Sequence, residues 1–228
     1  MNKLSCIGII MDGNRRFAHE RGLPVLEGHR RGLAKVKELL AWVKQGDIKT
    51  VFLYAFSIEN WQRSKIEVST LMVLFRKFLK TEVKTLLQHD TRLVCIGELG
   101  RFSRGLKKLI DEATIATKKC RTATLVVALS YGGRAEIAAG AKIFAEKYRT
   151  KFKTAGEKEF SQCLWTAGLP DPDLIIRTGG EQRLSNFLPW QSVYSELYFT
   201  KTYWPALTQS EFEAIIADYR ARQRRFGR

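Results

Sequence analysis

The sequence is poor in the residues that build metal clusters and disulfide frameworks. It has four cysteines and three histidines, and no two cysteines form a CxxC pair. Cys6 and Cys95 lie in apolar runs, so we expect reduced, buried thiols rather than a disulfide framework or a zinc site. The three histidines have no metal-ligand spacing either. His29 stands near the start of a predicted helix, where it could donate to a phosphate or serve only the structure.

Long hydrophobic runs are also missing. No apolar run approaches the roughly 18 residues of a transmembrane helix. The N-terminal run from Leu4 to Met11 is short, ends at Asp12 and lacks a small-residue cleavage site, so a signal peptide is not expected. The sequence therefore predicts a soluble, cytoplasmic protein, with at most a peripheral contact at the inner face of the membrane.

Several common motifs are absent as well. The sequence has no GxxxxGK[ST] loop, which argues against a P-loop nucleotide site, and no GxGxxG or GxSxG.

What the sequence has in excess is positive charge, with 39 Lys and Arg against 23 Asp and Glu and a net charge of +16. Nucleic acid, an anionic membrane surface or phosphorylated small molecules are partners that fit this balance.

The order of apolar patterns predicts the fold class. Its 228 residues, 45% hydrophobic, suit one sizeable domain, which we expect to span 1–228. Runs of strand length alternate with stretches of helical spacing, and "ELYFT" is a candidate sixth strand. Because the strands are apolar throughout, we expect an α/β fold with a mostly parallel, six-stranded sheet flanked by helices. The predicted strands are 4–10, 50–57, 92–96, 123–129 and 173–178, and the predicted helices are 28–44, 66–88, 102–119, one from 134 and one after 208.

Polar stretches follow four of the predicted strands. They read "MDGNRR", "AFSIENW", "SYGGR" and "RTGGEQRLS". In parallel sheets, ligands bind beyond the carboxyl ends of the strands. The clustering of acids, Asn, Gly and Arg at these ends therefore predicts a binding site there.

In the first of these stretches, Asp12 precedes Arg15 by three residues and Arg16 by four. Backbone N–H groups at a helix start and paired guanidinium donors bind phosphate oxygens. An acid there repels phosphate unless a cation bridges them, and Mg²⁺ is the usual bridge. The motif alone indicates a Mg²⁺–diphosphate site about as strongly as it indicates an ordinary strand-to-helix turn.

The stretch "RTGGEQRLS" suggests a second phosphate site. Arg177, Arg183 and Ser185 offer cationic and hydroxyl donors around a glycine turn, although alone they would fit a solvated surface turn. Glu196 could be a second carboxylate for the metal if it faces Asp12, or it could simply pair with an arginine. Glu67 forms a capping box with Ser64.

Together these stretches resemble one family. "MDGNRRFA", "GHRRG", "LYAFSIENWQR", "YGGRAEI" and "RTGGEQRLSNFLPWQSVYSELYF" are similar, in order and over nearly the whole chain, to the motifs of the cis-prenyltransferases. The resemblance implies a homodimeric enzyme that uses Mg²⁺. Such an enzyme condenses isopentenyl diphosphate with an allylic diphosphate, usually farnesyl diphosphate. Its product is a long polyprenyl diphosphate such as undecaprenyl diphosphate, and a hydrophobic tunnel beside the long helix would hold the growing chain.

The resemblance also implies roles for single residues. Asp12 would be the essential acid beside Mg²⁺, Glu196 the other metal ligand, and Asn60 would assist proton removal. The allylic diphosphate would lie against Gly13, Asn14, Arg15, Arg16, Phe17 and His29. Further substrate contacts would come from Ser57, Ile58, Glu59, Trp61 and Arg63. The isopentenyl diphosphate would lie against Arg177, Arg183, Leu184 and Ser185, with Arg225 and Gly227 of the tail reaching across the dimer interface.

The sequence departs from the family pattern at a few positions. Phe17 stands where the family often has Trp, Arg15 where many bacterial members have Gly, and Ser130 where Asn precedes "YGGR". Val25 occupies a position where some members carry Arg, so we leave it out of the site. These changes could alter the choice of allylic substrate or loop mobility.

Two other readings of the sequence compete with the enzyme. A nucleic-acid-binding domain would explain the +16 charge, but acids inside the proposed site would repel a phosphate backbone. A non-catalytic subunit of a heteromeric prenyltransferase usually lacks the acid that is present here as Asp12. We therefore expect an enzyme that does not bind nucleic acid.

Overall fold

The computed structural model describes residues 4–150 and 154–222. Six strands and seven α-helices alternate along this part of the chain. The strands are β1 (Cys6–Ile10), β2 (Thr50–Ser57), β3 (Thr91–Ile96), β4 (Ala123–Tyr131), β5 (Leu174–Arg177) and β6 (Glu196–Phe199). The helices are α1 (Asn14–His19), α2 (Val25–Gln45), α3 (Lys65–Gln88), α4 (Arg104–Thr117), α5 (Gly133–Lys147), α6 (Glu157–Ser161) and α7 (Gln209–Ala221).

The strands form one sheet in the order β3-β4-β2-β1-β5-β6. Every pair of neighbouring strands is parallel, which confirms the predicted parallel α/β sheet. The four strands that end in polar stretches, β4, β2, β1 and β5, are consecutive in this order. Because they run in the same direction, their carboxyl ends meet at one edge of the sheet.

Helices cover both faces of the sheet, as the continuous apolar strands require. On one face, α2, α3, α4 and α7 pack their apolar sides into a single core, in which Leu39, Phe78, Ile110 and Ile215 are buried. On the other face, Phe52, Tyr131 and Phe187 form a smaller core, beside α5.

No helix within the described ranges is long and apolar enough to span a membrane.

The starts of α3, α4 and α5 differ from the predicted ones by one or two residues, α6 is not predicted, and the larger differences are at α1 and α2. α2 begins at Val25 instead of Gly28, and α1 occupies a stretch where the sequence predicts only a turn. The predicted cap at Ser64 is confirmed, since its side chain accepts a hydrogen bond from the backbone N–H of Glu67, and Thr208 caps α7 by accepting from the N–H of Glu211.

Candidate functional site

A cleft of about 980 Å³ opens beyond the carboxyl ends of β1, β2 and β5. Most of the residues that the sequence assigns to the site line this cleft. They are Asp12, Gly13, Asn14, Arg15, Arg16, His29, Ser57, Glu59, Asn60, Arg63, Arg177 and Ser185. Val25, which the sequence analysis leaves out, lines it too.

At the centre of the cleft, two arginines hold the Asp12 carboxylate. Arg177 donates from one NH₂ group to Oδ2 at 2.9 Å, and a guanidinium nitrogen of Arg16 lies 3.2 Å from Oδ1. Partial burial pushes the pKa of Asp12 up, but the hydrogen bond from Arg177 and the two positive charges outweigh it. The pKa therefore lies below its ordinary value, and Asp12 is ionised at neutral pH.

Backbone geometry fixes the direction of this carboxylate. Gly13 adopts φ +101°, and a Cβ there would lie 2.5 Å from the Tyr203 ring, so only glycine fits. Its N–H donates to Oδ1 of Asp12 at 2.6 Å. The Asp12 carbonyl accepts from the Thr178 hydroxyl at 2.8 Å and from the Trp204 N–H at 2.9 Å. The acid is thus held from both its backbone and its side chain.

Arg177 joins the two predicted phosphate sites. It is only 5% exposed, and besides Asp12 it donates to the Ser185 hydroxyl at 2.7 Å and to the Arg183 carbonyl at 2.5 Å. Its buried Nε has no hydrogen-bond partner among the described residues. Since buried donors are rarely left unpaired, this group adds to the case for an anionic ligand beside Arg177.

A second cluster forms around Glu67, which the sequence analysis reads only as part of a helix cap. Its carboxylate lies 3.0 Å from Arg63, 3.3 Å from His29 Nε2 and 3.9 Å from Arg15. One acid thus joins three predicted substrate contacts from three different elements. The spacing to Arg63, four residues earlier, was the only signal of this in the sequence.

The surroundings of His29 make it a neutral donor or acceptor. Burial is the main cause that lowers its pKa below 6.5, helped by the charges of Arg63 and Arg15, while Glu67 acts in the opposite direction. The imidazole of His29 is therefore uncharged at neutral pH. Any contact that it makes with phosphate is a hydrogen bond, not an ion pair.

A short 3₁₀ helix, Ile58–Gln62, presents Asn60 to the cleft. The Asn60 side-chain oxygen accepts from the Ser57 N–H at 3.0 Å, so the backbone of β2 fixes its position. The neighbouring Glu59 accepts from the Asn186 amide at 3.2 Å. Asn186 also lines the cleft and caps α5 by accepting from the Arg134 N–H at 2.9 Å. The sequence analysis quotes Asn186 inside a motif but gives it no role.

Two aromatic residues that the sequence assigns to substrate binding, Phe17 and Trp61, pack away from the cleft. Phe17 is 5% exposed and lies under the guanidinium of Arg21, at 4.0 Å from the ring centre, and it does not line the cleft. Trp61 donates to the Ser130 hydroxyl at 2.9 Å and packs edge-on against Phe56. Both side chains are used in the core, because large aromatic surfaces gain most from burial. Neither ring lines the cleft, and the contact of either ring with substrate stays a prediction.

Other predicted residues lie at or beyond the margin of the cleft. Ile58 and Leu184 are not among the residues that line it. Arg183 is exposed, and its side chain pairs with Glu181 at 2.6 Å. The tail residues Arg225 and Gly227 lie outside the described residues.

Glu196 is not beside Asp12 within one chain. It begins β6 opposite Leu174, whereas Arg177 is opposite Phe199, at the other end of the strand pair. Three residues of strand separate these ends by about 10 Å. The Glu196 carboxylate instead pairs with Arg222 at 2.9 Å. Within one chain these contacts do not bring Glu196 beside Asp12, and the role of Glu196 as a metal ligand stays a prediction.

An apolar pocket of about 80 Å³ adjoins the cleft. Both are lined by Met11, Asn14, His29, Ala55 and Leu71. Beyond these residues, the pocket walls come from α2, α3 and the central strands, and include Leu33, Val36, Leu74, Phe75, Phe78 and Val127. The side of α3 that the sequence predicts to be a tunnel wall thus faces this pocket, but the tunnel itself stays a prediction.

Comparison with known proteins identifies the family of this chain. A family model described as putative undecaprenyl diphosphate synthase matches residues 10–227. The chain belongs to this family. The resemblance to the cis-prenyltransferases is therefore confirmed, and with it the prediction of an enzyme that transfers prenyl groups.

Individual members of the family cover nearly all of the chain. It is 44% identical to an isoprenyl transferase of Clostridium perfringens, over 97% of this chain and 88% of the relative. It is 41% identical to a ditrans,polycis-undecaprenyl-diphosphate synthase of Micrococcus luteus, named as farnesyl-diphosphate specific, over 97% and 90%. Among solved structures, lavandulyl diphosphate synthase from Lavandula x intermedia in complex with dimethylallyl diphosphate is similar, with a TM-score of 0.95 and 35% identity, over 99% and 98%.

Proposed function

We propose that this chain is a cis-prenyltransferase that condenses isopentenyl diphosphate with farnesyl diphosphate and elongates the product to undecaprenyl diphosphate. The observation that carries the proposal is the ionised Asp12 held between Arg16 and Arg177 in the cleft. The names of relatives such as the Micrococcus luteus enzyme support the choice of farnesyl diphosphate and of product.

The arginines fit the step in which the allylic diphosphate leaves. As the allylic C–O bond breaks, negative charge grows on the diphosphate oxygens. Guanidinium groups that Asp12 and the loop already hold in place stabilise this charge most in the transition state. Arg16 and Arg15 would face the leaving diphosphate, and Arg177 with Ser185 the diphosphate of the isopentenyl substrate.

Proton loss completes each addition. Attack by the isopentenyl double bond on the allylic carbon forms the new C–C bond and leaves a carbocation, which then loses a proton. The side-chain amide of Asn60 is not basic and does not accept the proton itself. We therefore assign Asn60 the role of positioning both the carbon that loses the proton and the group that accepts it. Its bond to the Ser57 backbone suits such a role.

Magnesium fits this site through one carboxylate. No group of three or more His, Cys, Asp or Glu side chains within the described ranges could hold a metal by itself. Mg²⁺ commonly binds one or two carboxylates and completes its shell with phosphate oxygens and water. Asp12, ionised and open to the cleft, would hold the ion together with the substrate. The bound ion would neutralise phosphate charge.

A homodimer is part of the proposal. β6 is the edge strand at one end of the sheet. Leu197 within this strand, and Val193 and Tyr194 just before it, are exposed. Unpaired, apolar strand edges are usually covered in stable proteins. A second copy is the cover that we propose, and Glu196 lies on this same edge.

Incubation with labelled isopentenyl diphosphate, farnesyl diphosphate and Mg²⁺, followed by sizing of the product, tests the function. We expect a polyprenyl diphosphate of undecaprenyl length. A well-folded preparation that incorporates no label would overturn the proposal. A product of a single condensation would keep the prenyl transfer but overturn the chain length.

A further inference from the structure

Charge is distributed unevenly over the long helices. α3 carries exposed lysines at 65, 77, 80 and 84, and exposes no acid. The other helices of ten or more residues each expose at least one acid, among them Glu38 of α2, Glu112 of α4, Glu146 of α5 and Glu213 of α7. Among the described helices of ten or more residues, α3 therefore has the most purely cationic outer side.

This surface is cationic because both acids of α3 turn inward. Glu67 reaches the cleft and pairs with Arg63 and His29. Glu82 is 5% exposed and pairs with Lys37 of α2 at 2.7 Å. With the two carboxylates used inside, the lysines of α3 have no acid on their own helix to neutralise them at the surface.

The exposed side of α3 also carries apolar residues. Ile66 is 80% exposed and Val73 is 63% exposed, far more than is usual for such side chains. With the lysines they form one row at helical spacing, which we name the α3 outer stripe. It comprises Ile66, Ser69, Val73, Lys77, Lys80, Lys84 and Leu87.

The apolar end of the stripe lies beside the cleft. Ile66 immediately precedes Glu67, which bonds to His29 of α2. One turn before His29, Val25 lines the cleft and, like the neighbouring Leu26, is exposed. Exposed apolar side chains from two helices thus flank the same side of the opening.

We propose that the α3 outer stripe docks this protein onto an anionic lipid bilayer. Lysines attract anionic headgroups, and apolar side chains in the same row enter the headgroup boundary. α3 packs beside β3, at the opposite edge of the sheet from β6, so the dimer proposed above leaves the stripe free. The inference rests on the proposed function in one respect: docking would place the mouth of the cleft where a lipid product can enter the membrane.

A nucleic acid is the less suitable partner for this surface. A phosphate backbone would use the lysines but would leave Ile66 and Val73 in water. Nucleic-acid surfaces of proteins bind chiefly through positive charge and hydrogen bonds. Apolar residues aligned with lysines on one row are instead typical of helices that lie at a lipid interface.

Co-sedimentation with vesicles tests the proposal on the full chain. The vesicles contain phosphatidylglycerol and phosphatidylcholine in equal parts, or phosphatidylcholine alone. The stripe variant combines Lys77→Gln, Lys80→Gln and Lys84→Gln. A matched control removes the same charge from the other face of the sheet, with Lys142→Gln, Lys147→Gln and Arg149→Gln. A second variant combines Ile66→Ser with Val73→Ser, and circular dichroism checks that all variants fold.

We expect the wild type to bind only the vesicles that contain phosphatidylglycerol. The stripe variant should lose on the order of 100-fold in partition coefficient, the control much less, and the serine variant should also bind more weakly. Equal losses in the stripe variant and the control would overturn the proposal, as would no vesicle binding by the wild type. Tighter binding to a DNA duplex through the same lysines at the same salt would overturn it too. Because vesicle binding needs no substrate, prenyl transfer measured in detergent tests the proposed function separately.

Discussion

At Glu67 a single carboxylate holds three side chains that we assign to substrate binding. Glu67→Gln keeps the size of the side chain and the backbone bond to Ser64 but removes the charge that orders Arg63, His29 and Arg15. We expect the KM for the allylic diphosphate to rise about tenfold, since ordering several cations contributes about 1 kcal/mol or more. Steady-state kinetics at a fixed isopentenyl diphosphate concentration measures this.

The control for that variant is Glu112→Gln, on an exposed part of α4, where the acid lies 3.8 Å from Lys108 and far from the cleft residues. Its kinetics should match the wild type. If Glu67→Gln also matched the wild type, or if it affected both substrates alike, Glu67 would be only a helix cap.

The buried, neutral His29 makes stability depend on pH. Its folded-state pKa lies below 6.5, so the unfolded chain takes up a proton first as the pH falls. The free energy of unfolding therefore decreases as the pH drops below about 6.5, until the folded-state pKa is passed. Urea unfolding measured between about pH 7.5 and about pH 5 should show a smaller decrease in the free energy of unfolding for His29→Gln than for the wild type. The same decrease in both proteins would contradict the assignment.

Among the elements, the packing of α1 on α2 sets the position of the allylic site. A Cβ at Gly28 would lie 2.1 Å from the Asn14 carbonyl oxygen. Gly28→Ala should therefore push α1 away from α2, lower the free energy of unfolding by about 1–3 kcal/mol and reduce turnover, because α1 carries Arg15 and Arg16. Denaturant unfolding and turnover are measured on the same preparation.

Gly100→Ala provides the matched comparison, since nothing lies within 4 Å of a Cβ there. It should change neither quantity appreciably. A Gly28→Ala protein as stable and active as the wild type would show that α1 is not held closely against α2.

The elements also show how far sequence reasoning reaches. Continuous apolar runs predict β1 to β5, because burial on both faces of the sheet imposes such runs, and apolar residues at helical spacing predict the long helices. The pattern cannot reveal α1, whose six residues include only two that are buried. Nor can it reveal that Phe17 and Trp61 turn into the core, because a large aromatic side chain suits both a core and a ligand site.

Strand pairing over long sequence distances decides which predicted site residues lie close together. Asp12 and Arg177 follow neighbouring parallel strands, so the topology brings them together. Glu196 stands at the start of a strand, not after its end, and the sheet therefore carries it away from Asp12. Its place as the first residue of "ELYF" contained this information, but the direction of β6 did not follow from composition.

For the whole molecule, the exposed edge beside β6 predicts self-association. Leu197→Lys adds a charge to an exposed apolar position on this edge strand, which would face the second copy. Sedimentation equilibrium should show the wild type as a dimer and the variant shifted toward monomer, with an unchanged circular dichroism spectrum. A monomeric wild type would refute the dimer, and an unaffected variant would move the interface away from β6.

The central claim is that the Asp12 carboxylate, held by Arg16 and Arg177, serves the departure of a diphosphate. The most direct measurement is the single-turnover rate of prenyl transfer by Asp12→Asn, with Asp111→Asn on α4 as a matched loss of charge. We predict a fall of at least about 100-fold in Asp12→Asn and a rate close to the wild type in Asp111→Asn. A folded Asp12→Asn protein that transfers prenyl groups at the wild-type rate would contradict the account.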